Sequence, residues 1–477
     1  MSESSSFGAA GFPNMYPDER HIEEKIYRGE LKVAVCGLGH VGSAMASVWL
    51  RAGAHVIGID KSYKVSSDAR EGKTHLPEPG VSDAYREGLR TGRFTVYDDL
   101  RQASEDSYLK MICVPVLSKD GSADLSSLKE VASEIGKGLK KGDAVSVSPS
   151  VPPGTTEDII CEILEDKSPG LVVDSDFSLI YNPERIYEGR AIEDIENSYP
   201  AVIAGAGPNS SRVGNKLYSM IFKRGVVTMS SIKSAETEKL FEGVYRDVNI
   251  ALANELAKLC EKIGVNFWEV REAANSQPFC NLHKPGVGVG GACIPVYPQF
   301  VIDTAKRMGV PCDITSWSRT INNSMPAYCV KEAIQLLDNR SKKSISGSVV
   351  TLLGLSFRGG VSDTRLSPTY DVIDEFLNHK VKEIRVHDPL VVDDSRLSTY
   401  PAKVSLTTDI EKAVKDTDLV FLVADHPEYS SLDQKTWVGV PMYDGRGILF
   451  KKNSHFNSNL RTIGVADESV PSKPIPT

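Results

Sequence analysis

Short runs of apolar, β-branched residues alternate with helix-period stretches along this chain, and that alternation narrows the fold most. Leu31–Cys36, His55–Ile59, Leu109–Val114 and Ala144–Val147 read as strands. Each run is nearly continuous in hydrophobicity, so each strand needs cover on both faces. That is the condition of a parallel sheet wrapped by helices. The pattern changes over residues 231–275. Ala235–Glu242 and Val248–Leu259 carry helical spacing with no strong breaker and predict a long helical middle. A Gly-rich loop, Lys284–Gly291, interrupts it. The strand pattern resumes at Ser346–Leu353, with further strands at Glu383–Val386 and Leu419–Val423. The expected fold class is α/β: two doubly wound domains joined by a long central helix.

The 477 residues predict about three domains at roughly 150 residues each. Net charge is -8, which argues against a general nucleic-acid binder. No run approaches the ~20 apolar residues of a membrane span. The first 30 residues are polar and Ser-rich and lack the apolar core of a secretory signal. The 8 cysteines are dispersed, with no C-x-x-C pair and no zinc spacing. They read as reduced, mostly buried thiols of a cytoplasmic protein without a metal site.

Gly37-Leu38-Gly39-His40-Val41-Gly42 fits G-x-G-x-x-G directly after the first strand, and opens a helix, Ser43–Leu50. The next strand ends at Asp60, where an acid meets the ribose hydroxyls of a dinucleotide. The glycines admit a pyrophosphate to the helix N-terminus. Asp60 would repel a 2′-phosphate, so NAD is expected rather than NADP. A bare strand-helix turn is the alternative, and the three features together weigh against it.

Pro285-Gly-Val-Gly-Val-Gly-Gly-Ala-Cys293-Ile-Pro295 is the most unusual segment. Its alternate glycines, Gly286, Gly288 and Gly290, can bring backbone N–H groups close to a ligand. Cys293 behind them is, on spacing alone, either a thiolate nucleophile or a buried structural cysteine. Lys239 reads by itself as a solvated helix position. Glu184 and Glu188 stand four apart after the strand-like run Phe177–Tyr181, where a site loop and a surface turn are equally expected.

Taken together, these segments resemble the UDP-glucose/GDP-mannose dehydrogenase family, from about Leu31 to Gly447. The glycine motif with Asp60 resembles its NAD site. Glu78-Pro79-Gly80, Ser150-Val-Pro-Pro-Gly-Thr-Thr156 and Asn182-Pro-Glu-Arg185 resemble further family elements. Ala235-Glu236-x-x-Lys239-Leu240 carries the matching catalytic lysine, and Gly288–Pro295 the catalytic-cysteine loop. Gly354-Leu-Ser-Phe357-Arg358, with Asp363-x-Arg365-x-Ser367-Pro368 and then Asp388-Pro389, resembles the UDP-binding motif.

The resemblance implies an NAD-dependent nucleotide-sugar 6-dehydrogenase (EC 1.1.1.-) that oxidises a C6 alcohol to a carboxylate with two NAD per sugar. Cys293 would capture the aldehyde as a thiohemiacetal and then carry a thioester. Lys239 would stabilise developing oxyanions, while Glu188 and Glu184 would order the water or the Lys239 ammonium. Ser150 would join the cofactor site. Arg185, Gly286, Gly288, Gly290, Phe357, Arg358 and Arg365 would bind the UDP-sugar. The implied organisation is an extension over 1–30, a Rossmann-like NAD domain over 31–230 and a connector and dimerisation region over 231–335. A UDP-binding α/β domain follows over 336–464, then a tail over 465–477. A homodimer or higher homo-oligomer is expected, with no nucleic-acid or membrane partner.

Several positions depart from the family pattern. Gly243 stands where the family has asparagine, and Tyr297 where it has aspartate. Ala292 replaces the histidine of the acetamido-sugar members, Phe279 an arginine, and Arg358 a lysine. The V-P-T-P run is Val114-Pro-Val-Leu117. These positions leave open a second reading, a UDP-sugar- and NAD-binding member with reduced or altered chemistry. A two-electron hydroxy-acid dehydrogenase is disfavoured by the Cys293 loop and the Asp363/Arg365 motif. Arg185 resembles the UDP-N-acetylhexosamine members, and Glu188-Gly189 the UDP-glucose type. The former is favoured.

Overall fold

A computed structural model describes Glu24, Arg28 and residues 30–76, 78–431, 439–449 and 459–466. Most of the expected N-terminal extension, and the tail beyond residue 466, lie outside the described residues. The chain divides after Lys239 into two compact units, and Ser118–Ser122 group with the second.

The first unit holds an eight-stranded sheet. Its strands are β1 (Lys32–Cys36), β2 (His55–Ile59), β3 (Phe94–Val96), β4 (Leu109–Ile112), β7 (Ala144–Val147), β8 (Ser178–Tyr181), β9 (Ala201–Gly205) and β10 (Val226–Thr228). A small hairpin, β5 (Leu117–Lys119) with β6 (Ser122–Asp124), branches off between β4 and β7. The sheet order is β10-β9-β8-β7-β4-β1-β2-β3. From β3 to β8 this is the 3-2-1-4-5-6 order of the dinucleotide-binding fold. The expected parallel pairing holds through β8, but β9 runs antiparallel to β8.

Period-two geometry sends neighbouring side chains to opposite faces. In β1, Val33 and Val35 enter one core with Met45, Trp49 and Leu217. Ala34 and Cys36 enter the other with Ile135, Leu164 and Phe177. Both faces are therefore covered, which is why these strands read as nearly continuous apolar runs.

The second unit repeats the plan. Strands β11 (Val349–Leu353), β12 (Glu383–His387), β13 (Val404–Thr407), β14 (Leu419–Leu422), β15 (Met442–Asp444) and β16 (Leu460–Thr462) form a parallel sheet in the order β13-β12-β11-β14-β15-β16. The helical middle is a single helix of 32 residues, Ile232–Ile263, about 48 Å long. Helices Phe267–Ala274, Tyr297–Arg307 and Asp313–Ser341 follow it.

The cysteines are less uniformly buried than expected. Cys36, Cys113, Cys260 and Cys329 are buried, Cys161, Cys280 and Cys312 are partly so, and Cys293 is exposed.

Candidate active site

In the first unit the glycine motif lies at the end of β1, where the strand order reverses between β1 and β4. Gly37 has φ 96°, and its N–H donates to the carbonyl of Ile59 at 2.7 Å. A Cβ on Gly42 would lie 1.7 Å from the Gly37 carbonyl oxygen, so only glycine lets the helix His40–Arg51 start this close. A Cβ on Gly39 would meet nothing within 4 Å, which leaves open space in front of the backbone where a pyrophosphate is expected. Asp60 accepts the N–H of Leu38 and of Ser62, each at 2.8 Å, and this fixes its carboxylate at the rim of the same loop. The three glycine roles and the placed acid fit NAD. Leu38 is buried, and Val41 packs against the core.

The loop carrying the two predicted carboxylates is clamped from a distance. Glu78 is buried and accepts the N–H groups of Gly189 (2.8 Å) and Ala191 (2.7 Å). Glu188 shares a 2.9 Å hydrogen bond with His40, so the loop is tied to the glycine motif. Glu184 is buried, and burial pushes its carboxyl up to about 7, against the opposing pull of the Arg185 N–H and the Lys239 charge. Its Oε2 finds no hydrogen-bond partner among the described residues. Arg185 stacks on Tyr199, 4.9 Å from the ring centroid, and donates to the carbonyl of Pro200 at 2.7 Å. Ser150 is half-buried in the loop after β7.

Lys239 is 8% exposed, so it is not the solvated helix position that its spacing suggested. One turn earlier, Glu236 accepts the N–H groups of Gly154 (2.5 Å) and Thr156 (2.8 Å). That carboxylate holds the Val151–Thr156 turn against the start of the central helix.

The second unit gathers the other predicted residues. The N–H of Gly291 donates to the carbonyl of Arg365 at 3.0 Å. A Cβ on Gly290 would lie 2.6 Å from the Leu366 carbonyl oxygen and 2.8 Å from Cβ of Phe357. The Gly-rich loop therefore lies flat against the 357–368 segment, and bare backbone is what permits it. Gly288 faces Pro368 in the same layer. Arg358 reaches back over the Phe357 ring, 5.7 Å from its centroid, and Arg365 pairs with Asp363. Cys293 stands exposed at the end of this loop, and its carbonyl accepts the N–H groups of Val296 and Tyr297, each at 3.0 Å.

Two residues at this loop were missed. Asn254, from the central helix, accepts the N–H of Gly286 at 2.9 Å. Its signal was a polar residue inside an apolar helical stripe. Arg446, after β15, would lie 3.0 Å from a Cβ on Gly286. Its signal was a basic residue flanked by Gly445 and Gly447 just past a strand.

Three family models match in order: the NAD binding domain of the UDP-glucose/GDP-mannose dehydrogenase family over residues 31–222, its central domain over 233–324 and its UDP binding domain over 351–451. The chain belongs to the UDP-glucose/GDP-mannose dehydrogenase family. UDP-N-acetyl-D-mannosamine dehydrogenase of Pyrococcus horikoshii is 32% identical over 425 residues, 88% of this chain and 96% of that protein. An NDP-N-acetyl-D-galactosaminuronic acid dehydrogenase of Ralstonia solanacearum is 30% identical, covering 87% of this chain and 96% of its own length. The solved structure of the UDP-D-ManNAc dehydrogenase from P. horikoshii superposes with TM-score 0.82 at 31% identity, covering 92% of this chain and 100% of that one. As a member of this family the chain is an NAD-dependent oxidoreductase acting on a UDP-sugar. No helix among the described residues is long and apolar enough to cross a membrane.

Proposed function

We propose that this dehydrogenase oxidises the C6 alcohol of a UDP-N-acetylhexosamine to the uronate through Cys293, consuming two NAD per sugar, with UDP-glucose as the next candidate substrate. The observation that carries the reading is the Gly-rich loop, which lies against the Phe357–Pro368 segment and ends in an exposed thiol. The similar proteins named for N-acetylated sugars support the sugar class.

Bound NAD supplies the hydride acceptor for each of the two oxidations. The roles of the chain are binding, orientation and proton handling. The backbone of Gly37–Gly42 and the Asp60 carboxylate hold the dinucleotide, with Ser150 beside it. Gly286, Gly288, Gly290, Phe357, Arg358 and Arg365 hold the UDP-sugar, and Arg185 braces the 182–191 loop. The Cys293 sulfur adds to the C6 aldehyde, giving a thiohemiacetal whose oxidation leaves a thioester. Water then attacks the thioester, the C–S bond breaks, and the thiol regains its proton as the carboxylate leaves. Lys239 offers positive charge to the developing oxyanions. Glu184 can exchange a proton near neutral pH, and Glu188 fixes the adjoining loop through His40. In this reading the NAD domain spans 31–230, the connector 231–335 and the UDP domain 336–464.

Gly243 and Tyr297, where the family pattern has polar groups, favour a second reading in which the oxidation is reduced or altered. NADH formed per sugar separates the two. UDP-GlcNAc, UDP-ManNAc, UDP-glucose and UDP-galactose are offered in turn and absorbance is followed. Two NADH from one sugar supports full oxidation, and one points to arrest at the aldehyde or thioester. Cys293→Ser is expected to abolish uronate. Complete conversion by that variant would sink the thioester route.

We also propose that the enzyme is a homodimer. The central helix exposes Phe241, Tyr245, Leu252 and Leu259, which fall on one face of the helix. A second copy of the chain would cover them about a two-fold axis.

A further inference from the structure

Two of the departures from the family pattern, Gly243 and Tyr297, touch each other. Gly243 lies inside the central helix, where a glycine costs roughly 1 kcal/mol against alanine. The reason is local. A Cβ there would sit 2.5 Å from Cδ2 of Tyr297, 3.0 Å from its Cβ and 3.2 Å from its Cγ. The tyrosine ring thus lies flush on helix backbone, and no other residue at 243 leaves it room.

Tyr297 opens the helix Tyr297–Arg307 and is 9% exposed. Its N–H donates to the carbonyl of Cys293 at 3.0 Å, as does that of Val296. Pro295 and Pro298 flank this turn and limit its backbone freedom. The exposed thiol is therefore joined to the rigid central helix through one turn of chain and one buried ring.

We propose that Tyr297 is a positioning residue for Cys293, and that Gly243 and Tyr297 act as one steric unit, the ring filling the notch that the missing side chain leaves. A close steric contact thus joins the two positions where the family pattern has asparagine and aspartate. The inference rests on the reading of Cys293 as the nucleophile. Displacing a reacting group by about 1 Å can cost 10²-fold in rate, so a ring that fixes the turn has a catalytic consequence without touching substrate.

Hydrogen exchange of the peptide spanning residues 293–300 reads the turn without substrate, followed by mass spectrometry. Tyr297→Ala and Gly243→Ala are each expected to speed exchange there about tenfold or more, while Tyr297→Phe, which keeps the ring, retains more protection than Tyr297→Ala. In turnover, Tyr297→Ala is expected to lower kcat by about tenfold to a hundredfold and to move KM for NAD less than about threefold. The double variant should be no worse than Tyr297→Ala alone, because removing the ring makes room for the methyl. If Gly243→Ala does not fold, adding Tyr297→Ala should restore folding. Unchanged exchange in a folded Gly243→Ala variant would overturn the proposal, as would additive losses in the double variant or failure of that rescue. Exchange in Tyr297→Phe as fast as in Tyr297→Ala would also overturn it. The exchange result stands apart from the Cys293→Ser test, so a failed thioester route and a failed steric unit give different outcomes.

Discussion

Glu184 is a buried carboxyl close to a lysine charge, and burial dominates: its carboxyl is pushed up to about 7 from an ordinary 4.5. A folded-state value above the unfolded one means that the fold binds the proton more tightly. The stabilisation is full below about pH 4.5 and is lost as pH rises through about 7. Glu236, also raised to about 7 by burial, shares that window. Glu184→Gln keeps the shape and removes one titration. Its melting temperature should fall less than the parent's between pH 5 and 8, as thermal unfolding across buffers will report; parallel curves would show that Glu184 does not titrate there. The sequence marked this residue as a candidate but not its burial, because the clamp on its loop is Glu78, over a hundred positions away. Lys239 was misjudged by spacing for a related reason, since helical periodicity carries no record of what packs on the polar face. The exposure of Cys293 was not legible either, since spacing alone left a buried structural cysteine equally open.

The elements were legible where local pattern determines them. β1, β2, β4 and β7 appear within a residue or two of their apolar runs, because strands covered on both faces are mostly apolar; the buried exceptions, Lys110 and Ser146, are paired with Asp143 and Tyr218. The antiparallel direction of β9 and the grouping of Ser118–Ser122 with the second unit were not legible, since pairing partners are tertiary choices. Nor was the polar seam between two long helices. Arg319 pairs with Asp247 at 2.6 Å, Asn322 donates to Asp247 at 2.8 Å, and Asn254 donates to Asn322 at 2.9 Å. Asn254 ends the seam by accepting the Gly286 N–H, so the seam anchors the first residues of the Gly-rich loop. Asn254→Ala leaves that N–H and the Asn322 carbonyl oxygen without their partner, at about 1–3 kcal/mol for each buried group. The expected outcome is a lower melting temperature and a KM for UDP-sugar that rises more than kcat falls. Steady-state kinetics with the preferred sugar checks it, and an unchanged KM in a folded variant would dissociate the seam from the loop.

At the scale of the molecule, the same sheet plan appears twice with different endings. Gly354 (φ 102°) follows β11 as Gly37 follows β1; a Cβ on Gly354 would lie 2.3 Å from Cβ of Ala424 and one on Gly37 3.1 Å from the Cys113 backbone, in each case just past the fourth strand of the plan. Asp60 and Asp388 both end the second strand and accept N–H groups from the first loop. Asp388 is fully buried, takes four N–H groups and contacts His426 at 3.2 Å, so it is sealed from any ribose. Asp60 stays half-buried at the rim of its loop, open to a ribose as Asp388 is not. The central helix adds what neither sheet supplies, an outward apolar face. Leu252 and Leu259 are two turns apart on it, at 42% and 53% exposure. Fully burying a leucine is worth about 1.5–3 kcal/mol; about half of each side chain is left to bury and a two-fold interface counts each substitution twice, so two leucines hold roughly 3–6 kcal/mol of the association. That is a large part of what a micromolar dimer needs, about 8 kcal/mol, and Phe241 and Tyr245 on the same face add to it. The double variant Leu252→Glu/Leu259→Glu also places four carboxylates across the axis. Light scattering should report a dimer for the parent and a monomer for the variant. A monomeric parent, or a variant that remains dimeric, would put the interface elsewhere.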